Sequence, residues 1–172
     1  MLVTSMNGKP LSPVHGYPVR MIVPGLFGYV SATKWISDIE ITTWDAFDAY
    51  WVRRGWSAEG PMLSSSRIDL PRPDSVVAAG SVNVGGFAWA PRAGIQTVQL
   101  KVNDASWVDC EVLDHDSGDT WAQWKYPLPV TPGEYSLTVR VIDKMGNEQT
   151  SEERDVAPSG ATGHHSISFS AA

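Results

Sequence analysis

The 172-residue chain has little cysteine, no excess of positive charge and no long apolar run, and each absence excludes a class of protein. The single cysteine, Cys110, rules out an intramolecular disulfide and a thiolate metal cluster built within one chain. A net charge of −6 argues against a nucleic-acid-binding protein, which ordinarily needs a basic face. No apolar run approaches the length of a membrane span, and the opening MLVTSMNGKP lacks the basic and apolar regions of a signal peptide.

What the chain does contain is a globular composition with many tryptophans. Hydrophobic residues make up 42% of it and charged residues 19%, which is too apolar for a disordered chain. Four of the eight tryptophans fall between residues 35 and 56. Aromatic side chains of this size fill cores or interfaces. The sequence leaves open whether these four pack on a partner protein or on another domain of the same chain.

Turn signals and composition divide the chain into three predicted parts: a loop-rich stretch over 1–43, a Trp-rich short helix with a Pro/Ser linker over 44–75, and a β-domain over 76–172. The first part has too much loop to form a core of its own and is expected to pack on something else. Within it, the alternation of Ile39 and Ile41 predicts a strand. The helical spacing of Trp44, Phe47 and Trp51 predicts the short helix.

Apolar and polar residues alternate cleanly in the third part, most clearly over 98–102, 135–141 and 167–171. About seven short strands separated by turn residues are typical of an immunoglobulin-like sandwich. The Cys–Trp–Cys signature of antibody domains is absent. The sequence therefore predicts a mainly β fold with an immunoglobulin-like β-sandwich over 76–172.

Candidate chemistry concentrates in His15, Arg20 and Lys34, which lie on a loop stiffened by prolines and opened by glycines. Three such donors can form a cradle for an anion, because Arg grips a phosphate bidentately and Lys adds a point charge. The other interpretation is that these are solvated loop charges, and composition and spacing alone favour it.

The other candidate groups favour structural roles. His164 and His165 are adjacent, and neighbours on a strand point to opposite faces, so they do not easily share one metal ion. Cys110 lies inside an apparent strand over 108–112 and is expected to be a packed thiol rather than a nucleophile. The DHD stretch at 114–116 lies in a turn-rich region, where a solvated loop is favoured over a metal or acid–base cluster.

The opening stretch resembles a known family. NGKPL at 7–11, HGYPVR at 15–20, VPG at 23–25 and KWI at 34–36 are similar, in order, to the end of the molybdopterin-binding domain of the sulfite oxidase family. The family pattern there is NGxPLPxxHGxPxRxxVPGxxG followed by KW. Further on, GFAW at 86–89, WAQW at 121–124 and VRVID at 139–143 resemble the immunoglobulin-like dimerisation domain at that family's C-terminus. The resemblance covers nearly the whole chain and is greatest to the actinobacterial-type branch.

The resemblance implies a C-terminal fragment of a molybdopterin-dependent oxidoreductase. Residues 1–43 would be the remnant of its α+β cofactor domain, and His15, Arg20 and Lys34 would contact the pterin and phosphate of the molybdenum cofactor. The cysteine that ligates molybdenum in the family lies upstream of this stretch, and Cys110 lies in the wrong domain to replace it. We therefore expect no catalytic residue, no metal ligand and no cofactor bound by this chain alone, which leaves its status as an enzyme open.

The implied partners are a second copy of the chain, as a homodimer, and the N-terminal part of the molybdopterin domain. No nucleic acid and no membrane segment is expected within these residues. Members of the actinobacterial-type branch often carry membrane helices before the catalytic domain, which implies a membrane-anchored or extracytoplasmic parent. The alternative function is a stand-alone immunoglobulin-like module that binds another protein and has no catalytic role.

Overall fold

A computed structural model of the protein describes residues 1–114 and 117–172, which form two compact units. The first unit comprises Met1–Met62 with Asp155–Gly160, and the second comprises Leu63–Arg154 with Ala161–Ala172. His115 and Asp116, two members of the DHD stretch, lie outside the described residues. Within the described ranges, no helix has both the length and the apolar character needed to cross a membrane.

The first unit consists of short elements joined by tight turns. Its strands and helix are β1 (Leu2–Val3), β2 (Ser5–Met6), β3 (Lys9–Pro10), β4 (Arg20–Met21) and α1 (Gly28–Ser31), with 3-10 turns at Pro13–His15 and Val52–Arg54. Strand β1 pairs antiparallel with β4, and β2 with β3. Asn7 and Gly8 join β2 to β3 with φ angles of 52° and 73°, as a two-residue hairpin turn of the primed kind requires.

Residues 36–56 differ from the strand and helix that their patterns predict. Ile39 and Ile41 lie in irregular chain, and Ile41 is 97% exposed. The helix predicted from Trp44 and Phe47 is reduced to turns, of which the 3-10 turn at Val52–Arg54 is the most regular. Apolar residues at helical spacing stabilise a helix only when their common face is buried. Trp44 and Phe47 are exposed here, so that stabilisation is lacking.

The second unit is an open sandwich of two β-sheets, which confirms the predicted mainly β, immunoglobulin-like class. Its strands are β5 (Ser65–Leu70), β6 (Val76–Val77), β7 (Gly80–Trp89), β8 (Ile95–Val102), β9 (Val108–Asp109), β10 (Glu111–Val112), β11 (Ala122–Val130), β12 (Gly133–Asp143) and β13 (His165–Ala171). One sheet has the order β10-β11-β7-β5 and the other β6-β13-β12-β8-β9. The neighbouring strands are antiparallel except β6 and β13, which are parallel.

Strand β5 lies where the sequence predicts only an extended linker. Ser66 and Ile68 are buried and alternate with exposed Ser65, Arg67 and Asp69, which is the period of a half-buried strand. Two serines and a charged pair hide this alternation in the sequence. The Pro/Ser linker predicted within 44–75 is therefore corrected over Ser65–Leu70, which forms one edge of the four-stranded sheet.

The single strand predicted over 108–112 is two strands in different sheets. Strand β9 pairs with β8 in the five-stranded sheet, and β10 pairs with β11 in the four-stranded sheet. Cys110 lies at the crossing point, where its N–H donates to the carbonyl of Val98 at 2.8 Å. A strand that switches sheets in this way closes a corner of a sandwich.

The core lies between the two sheets and is almost entirely apolar. Its most deeply buried side chains are Trp124, Phe169, Leu100, Leu137, Val84, Val98, Val139 and Val141. They come from alternate positions of β7, β8, β11, β12 and β13, so each strand supplies one face to the core. The second unit therefore has a complete hydrophobic core of its own.

Candidate anion-binding site

The three predicted donors meet around one tight turn in the first unit. Pro13 begins the 3-10 turn Pro13–His15, and Gly16 ends it with a φ of 107° and an N–H bond to the Pro13 carbonyl. A Cβ atom at Gly16 would lie 3.0 Å from Cβ of Lys34 and 3.1 Å from Cβ of Arg20. Glycine is therefore required both by the left-handed backbone and by the close approach of two cationic side chains.

The cationic side chains are held by carbonyls of the same turn. Arg20 lies on β4, and its Nη1 donates to the carbonyl of His15 at 3.4 Å. Lys34 Nζ donates to the carbonyl of Val14 at 3.1 Å. The structure thus brings His15, Arg20 and Lys34 together, and we call this group the anion cradle.

The imidazole of His15 is oriented by a neighbouring hydroxyl. Ser12 Oγ and His15 Nδ1 are 2.8 Å apart and share a hydrogen bond. This contact occupies one ring nitrogen and leaves Nε2 for a ligand. The sequence did not single out Ser12. Its position three residues before His15 and next to Pro13 is a general turn signal with no chemical specificity.

Trp35 is a second residue of the cradle that sequence patterns did not assign to it. Its indole Nε1 donates to the carbonyl of Pro13 at 2.7 Å, and its φ of 56° is left-handed, which is strained for a bulky residue. Lys34 Nζ lies 4.6 Å from the centroid of the Trp35 ring. Trp35 therefore fastens the turn and supports the ammonium group through the negative face of its ring.

Arg20 carries an unsatisfied donor. Its Nε is hidden from solvent and has no hydrogen-bond partner among the described residues. A buried donor without an acceptor costs about 1–3 kcal/mol, so such a group calls for an acceptor from outside the chain. A guanidinium, an ammonium and an imidazole suit an oxyanion such as phosphate. Arg and Lys carry no lone pair for a metal, which makes this donor set unsuited to metal binding.

Cys110 is a packed thiol, as the sequence predicted. It is buried at the sheet crossing, and burial raises the pKa of its thiol to about 12, with the neighbouring Asp109 charge adding to the effect. The thiolate is the reactive form of cysteine, and a high pKa keeps it scarce at neutral pH. Cys110 is therefore not an accessible nucleophile, and it belongs to the second unit, whereas the anion cradle belongs to the first.

The raised pKa of Cys110 predicts very slow alkylation. An unperturbed cysteine has a pKa of 9.0. A rise to about 12 lowers the fraction of thiolate at pH 8 about a thousandfold. We expect iodoacetamide to leave the folded chain unmodified over hours while the unfolded chain reacts in minutes, as followed by intact mass. Equal labelling rates with and without denaturant would contradict the buried position of Cys110.

His164 and His165 bond to different backbone groups of the second unit. His164 Nε2 lies 2.9 Å from the carbonyl of Gln149, and His165 Nδ1 accepts the N–H of Ile68 at 3.1 Å. Burial lowers the pKa of His165, and the nearby Arg67 charge lowers it further. Each imidazole is thus committed to a separate structural contact.

Comparison with known proteins relates both units to one group of enzymes. The oxidoreductase molybdopterin binding domain family matches residues 1–51. Human mitochondrial sulfite oxidase is 25% identical over 175 residues, which covers 87% of this chain and 32% of that protein. Arabidopsis thaliana sulfite oxidase is 23% identical over 177 residues, which covers 87% of this chain and 45% of that protein. The chain thus spans less than half the length of these relatives.

Two further similarities refine the comparison. The inducible nitrate reductase 2 (NADH) of Glycine max is 51% identical over 43 residues, which is 25% of this chain and 5% of that protein. Among solved structures, the sulfane dehydrogenase SoxCD from Paracoccus pantotrophus aligns with a TM-score of 0.71 and 21% identity, covering 96% of this chain and 47% of that chain. The described chain therefore shares its fold with part of SoxCD.

Proposed function

We propose that this chain, which belongs to the sulfite oxidase family of molybdopterin oxidoreductases, supplies such an enzyme with its dimerisation domain and with a few contacts to the pterin and phosphate of the molybdenum cofactor. The observation that carries the cofactor part is the anion cradle. Its residues His15, Arg20 and Lys34 lie inside the stretch 1–51 that matches the molybdopterin-binding family.

The cradle fits the phosphate end of the cofactor. The unpaired Arg20 Nε and the two Lys34 protons not given to Val14 are available donors. Nε2 of His15 is a third donor in the tautomer in which Ser12 donates to Nδ1. Charge-assisted hydrogen bonds from such groups to phosphate are about twice as strong as neutral ones. The cofactor, when bound, supplies redox and oxygen-atom transfer chemistry. The chain's own residues bind and orient its anionic end and balance part of its charge.

The chain on its own is proposed to be catalytically inactive. The family ligates molybdenum with a cysteine thiolate, and the one cysteine here, Cys110, lies in the core of the second unit with a pKa of about 12. The thiolate is the metal-binding form of cysteine, and a buried thiol with a raised pKa is not in that form at neutral pH. The oxidoreductase activity is accordingly a proposal for the whole enzyme.

The first unit supports a partner that completes it. Leu11, at 4% exposure, is its only buried large apolar residue among those described, whereas many others are open to solvent. The exposed ones are Met1, Leu2, Met6, Val14, Tyr17, Val23, Trp35, Ile39, Ile41, Trp44, Phe47, Tyr50, Trp51 and Val156. Exposed apolar surface on this scale is typical of an interface. We assign it to the remainder of a molybdopterin-binding domain.

Binding of inorganic phosphate tests the cradle directly. We expect phosphate to shift the Arg20 Nε–H resonance in proton–nitrogen correlation spectra with a millimolar Kd. Arg20→Gln should weaken binding at least about tenfold, because a hydrogen bond to a charged group contributes about 1.5–3 kcal/mol. Arg54→Gln, a charge-matched control in the same unit, should leave the Kd unchanged. If both variants weakened phosphate binding equally, the binding would come from general electrostatic attraction. That result would overturn the proposed anion cradle.

Cofactor content and association test the rest of the proposal. The chain purified from a host that makes the molybdenum cofactor should contain only traces of molybdenum and pterin, and it should be dimeric by light scattering. Near-stoichiometric cofactor would overturn the proposed inactivity. A monomer at high micromolar concentration, with fast amide exchange in residues 1–41 and slow exchange in the second unit, would favour the alternative of a protein-binding module.

A further inference from the structure

We propose that two copies of the chain associate through the outward face of the four-stranded sheet β10-β11-β7-β5. This inference rests on the proposed dimerisation and names the surface that performs it. The face is formed by the side chains that alternate with the core positions on these strands, together with Trp121 just before β11. Its central members are Arg67, Asp69, Gly85, Phe87, Glu111, Trp121, Gln123 and Lys125. We call it the neutral face.

An aromatic projection stands at one end of the neutral face. Arg67 and Phe87 are register partners, and the guanidinium carbon lies 4.3 Å from the Phe87 ring centroid. Phe87 in turn packs on Trp121, with 5.2 Å between the centroids. Trp121 is nevertheless 63% exposed. Tryptophan and arginine are the residue types that dominate binding energy at protein interfaces, so an exposed stack of them points to a covered surface.

A hollow lies beside this projection. Gly85 pairs with Lys125 on β11 and with Leu70 on β5, so the row of side chains is interrupted in the middle of the sheet. A Cβ atom at Gly85 would lie 2.9 Å from the Trp124 carbonyl oxygen, which explains the glycine. The result is an open groove of about 590 Å³ whose lining includes Asp69, Glu111 and Lys125. The face thus presents one projection and one depression side by side.

The charge of this face selects a second copy as the partner. The chain carries a net charge of −6, so two copies repel each other unless they meet where the charge is balanced. On the neutral face Arg67 is paired with Asp69 at 2.8 Å, and Lys125 with Glu111 at 3.1 Å. Two positive and two negative groups therefore cancel. In a two-fold contact each patch meets its own image, which lets the cations of one copy approach the anions of the other.

The outward face of the other sheet carries a less exposed stack. Arg140 on β12 lies 4.4 Å from the centroid of the Trp107 ring and pairs with Glu148 at 2.6 Å, but Trp107 is only partly exposed. The central strands of that sheet, β12 and β13, present hydroxyl side chains, with Ser136, Ser166 and Ser168 exposed and Thr138 bonded to Ser166 at 2.8 Å. Serine is depleted at interface cores and is well solvated. Of the two sheet faces, the neutral face is accordingly the one suited to association.

Sedimentation equilibrium of the full chain and four variants tests the proposal. Trp121→Ala and Lys125→Glu should each raise the dimer Kd about thirtyfold or more, since the first removes the projection and the second unbalances the charge. The exchange Lys125→Glu with Glu111→Lys keeps the charge balanced and should restore dimerisation to near the original Kd. Trp44→Ala, a control that truncates an exposed tryptophan of the first unit, should change little.

The outcomes separate this inference from the proposed function. A dimeric chain whose Kd is unaffected by Trp121→Ala and Lys125→Glu would overturn the neutral face while leaving dimerisation intact. Loss of the dimer in Trp44→Ala alone would show that the interface lies on the first unit, and this result would also overturn the neutral face. A monomeric original chain would overturn both proposals. Circular dichroism checks folding, and these exposed side chains lie outside the core.

Discussion

Gly86→Ala is expected to destabilise the sandwich by about 3 kcal/mol or more. Gly86 lies on β7 between its register partners Ile68 on β5 and Trp124 on β11. A Cβ atom there would overlap the carbonyl oxygen of Arg67 and would lie 2.9 Å from the Arg67 carbonyl carbon and 3.1 Å from the Asp69 nitrogen. These are backbone atoms, so no side-chain rotation relieves the clash. Strand β5 must leave β7 and withdraw Ile68 from the core.

Urea denaturation measures this effect, and the chain offers a matched control. A Cβ atom at Gly118 would have the Cα of Gly94 as its nearest neighbour, 4.0 Å away, so Gly118→Ala should change the free energy of unfolding by less than about 1 kcal/mol. If Gly86→Ala unfolded at the same urea concentration as Gly118→Ala, β5 would not lie against β7 as described. The substitution therefore also tests the strand that sequence patterns did not predict.

Strands whose alternation is set by one buried face were predictable from the sequence. Residues 137, 139 and 141 of β12 are apolar and fully buried, and Val98 and Leu100 repeat the pattern on β8. Strand β5 was not predictable in this way, because Ile68 is the only apolar residue on its inner face. The other buried residue, Ser66, is polar and donates a hydrogen bond to Gln149. That partner is 83 residues away in the sequence, and local patterns carry no information about it.

The site shows the same division between local and distant information. The order of motifs from NGKPL to KWI identified His15, Arg20 and Lys34 as candidates, and the structure places them around one turn. The contacts that build this turn run from side chains to backbone carbonyls, such as Trp35 to Pro13 across 22 residues. Any residue type offers a carbonyl, so such contacts leave no mark on the sequence. The short helix predicted over 42–56 is wrong for a related reason, because Trp44, Phe47 and Trp51, which would form its apolar face, are exposed.

Gln149→Leu is expected to lower the free energy of unfolding by about 2–4 kcal/mol. Gln149 is 8% exposed, and its Oε1 accepts hydrogen bonds from Ser66 Oγ at 2.7 Å and from the Val141 N–H at 3.2 Å. Its Nε2 donates to the carbonyl of Gly163 at 2.8 Å. One amide thus links β5 of the four-stranded sheet to β12 of the five-stranded sheet. Leucine fills a similar volume but leaves these buried polar groups without a partner, each at a cost of about 1–3 kcal/mol.

A double-mutant cycle separates lost hydrogen bonds from altered packing. Removing both partners of a buried hydrogen bond is less costly than removing one, so Ser66→Ala combined with Gln149→Leu should regain about 1 kcal/mol relative to the sum of the single changes. Gln96→Leu, at an exposed position of β8, provides the matched control and should lie within about 0.5 kcal/mol of the original protein. Purely additive changes would show that the Ser66–Gln149 bond does not hold the two sheets together. Coupling of the expected sign would show that hydrogen bonds from this amide connect the two sheets.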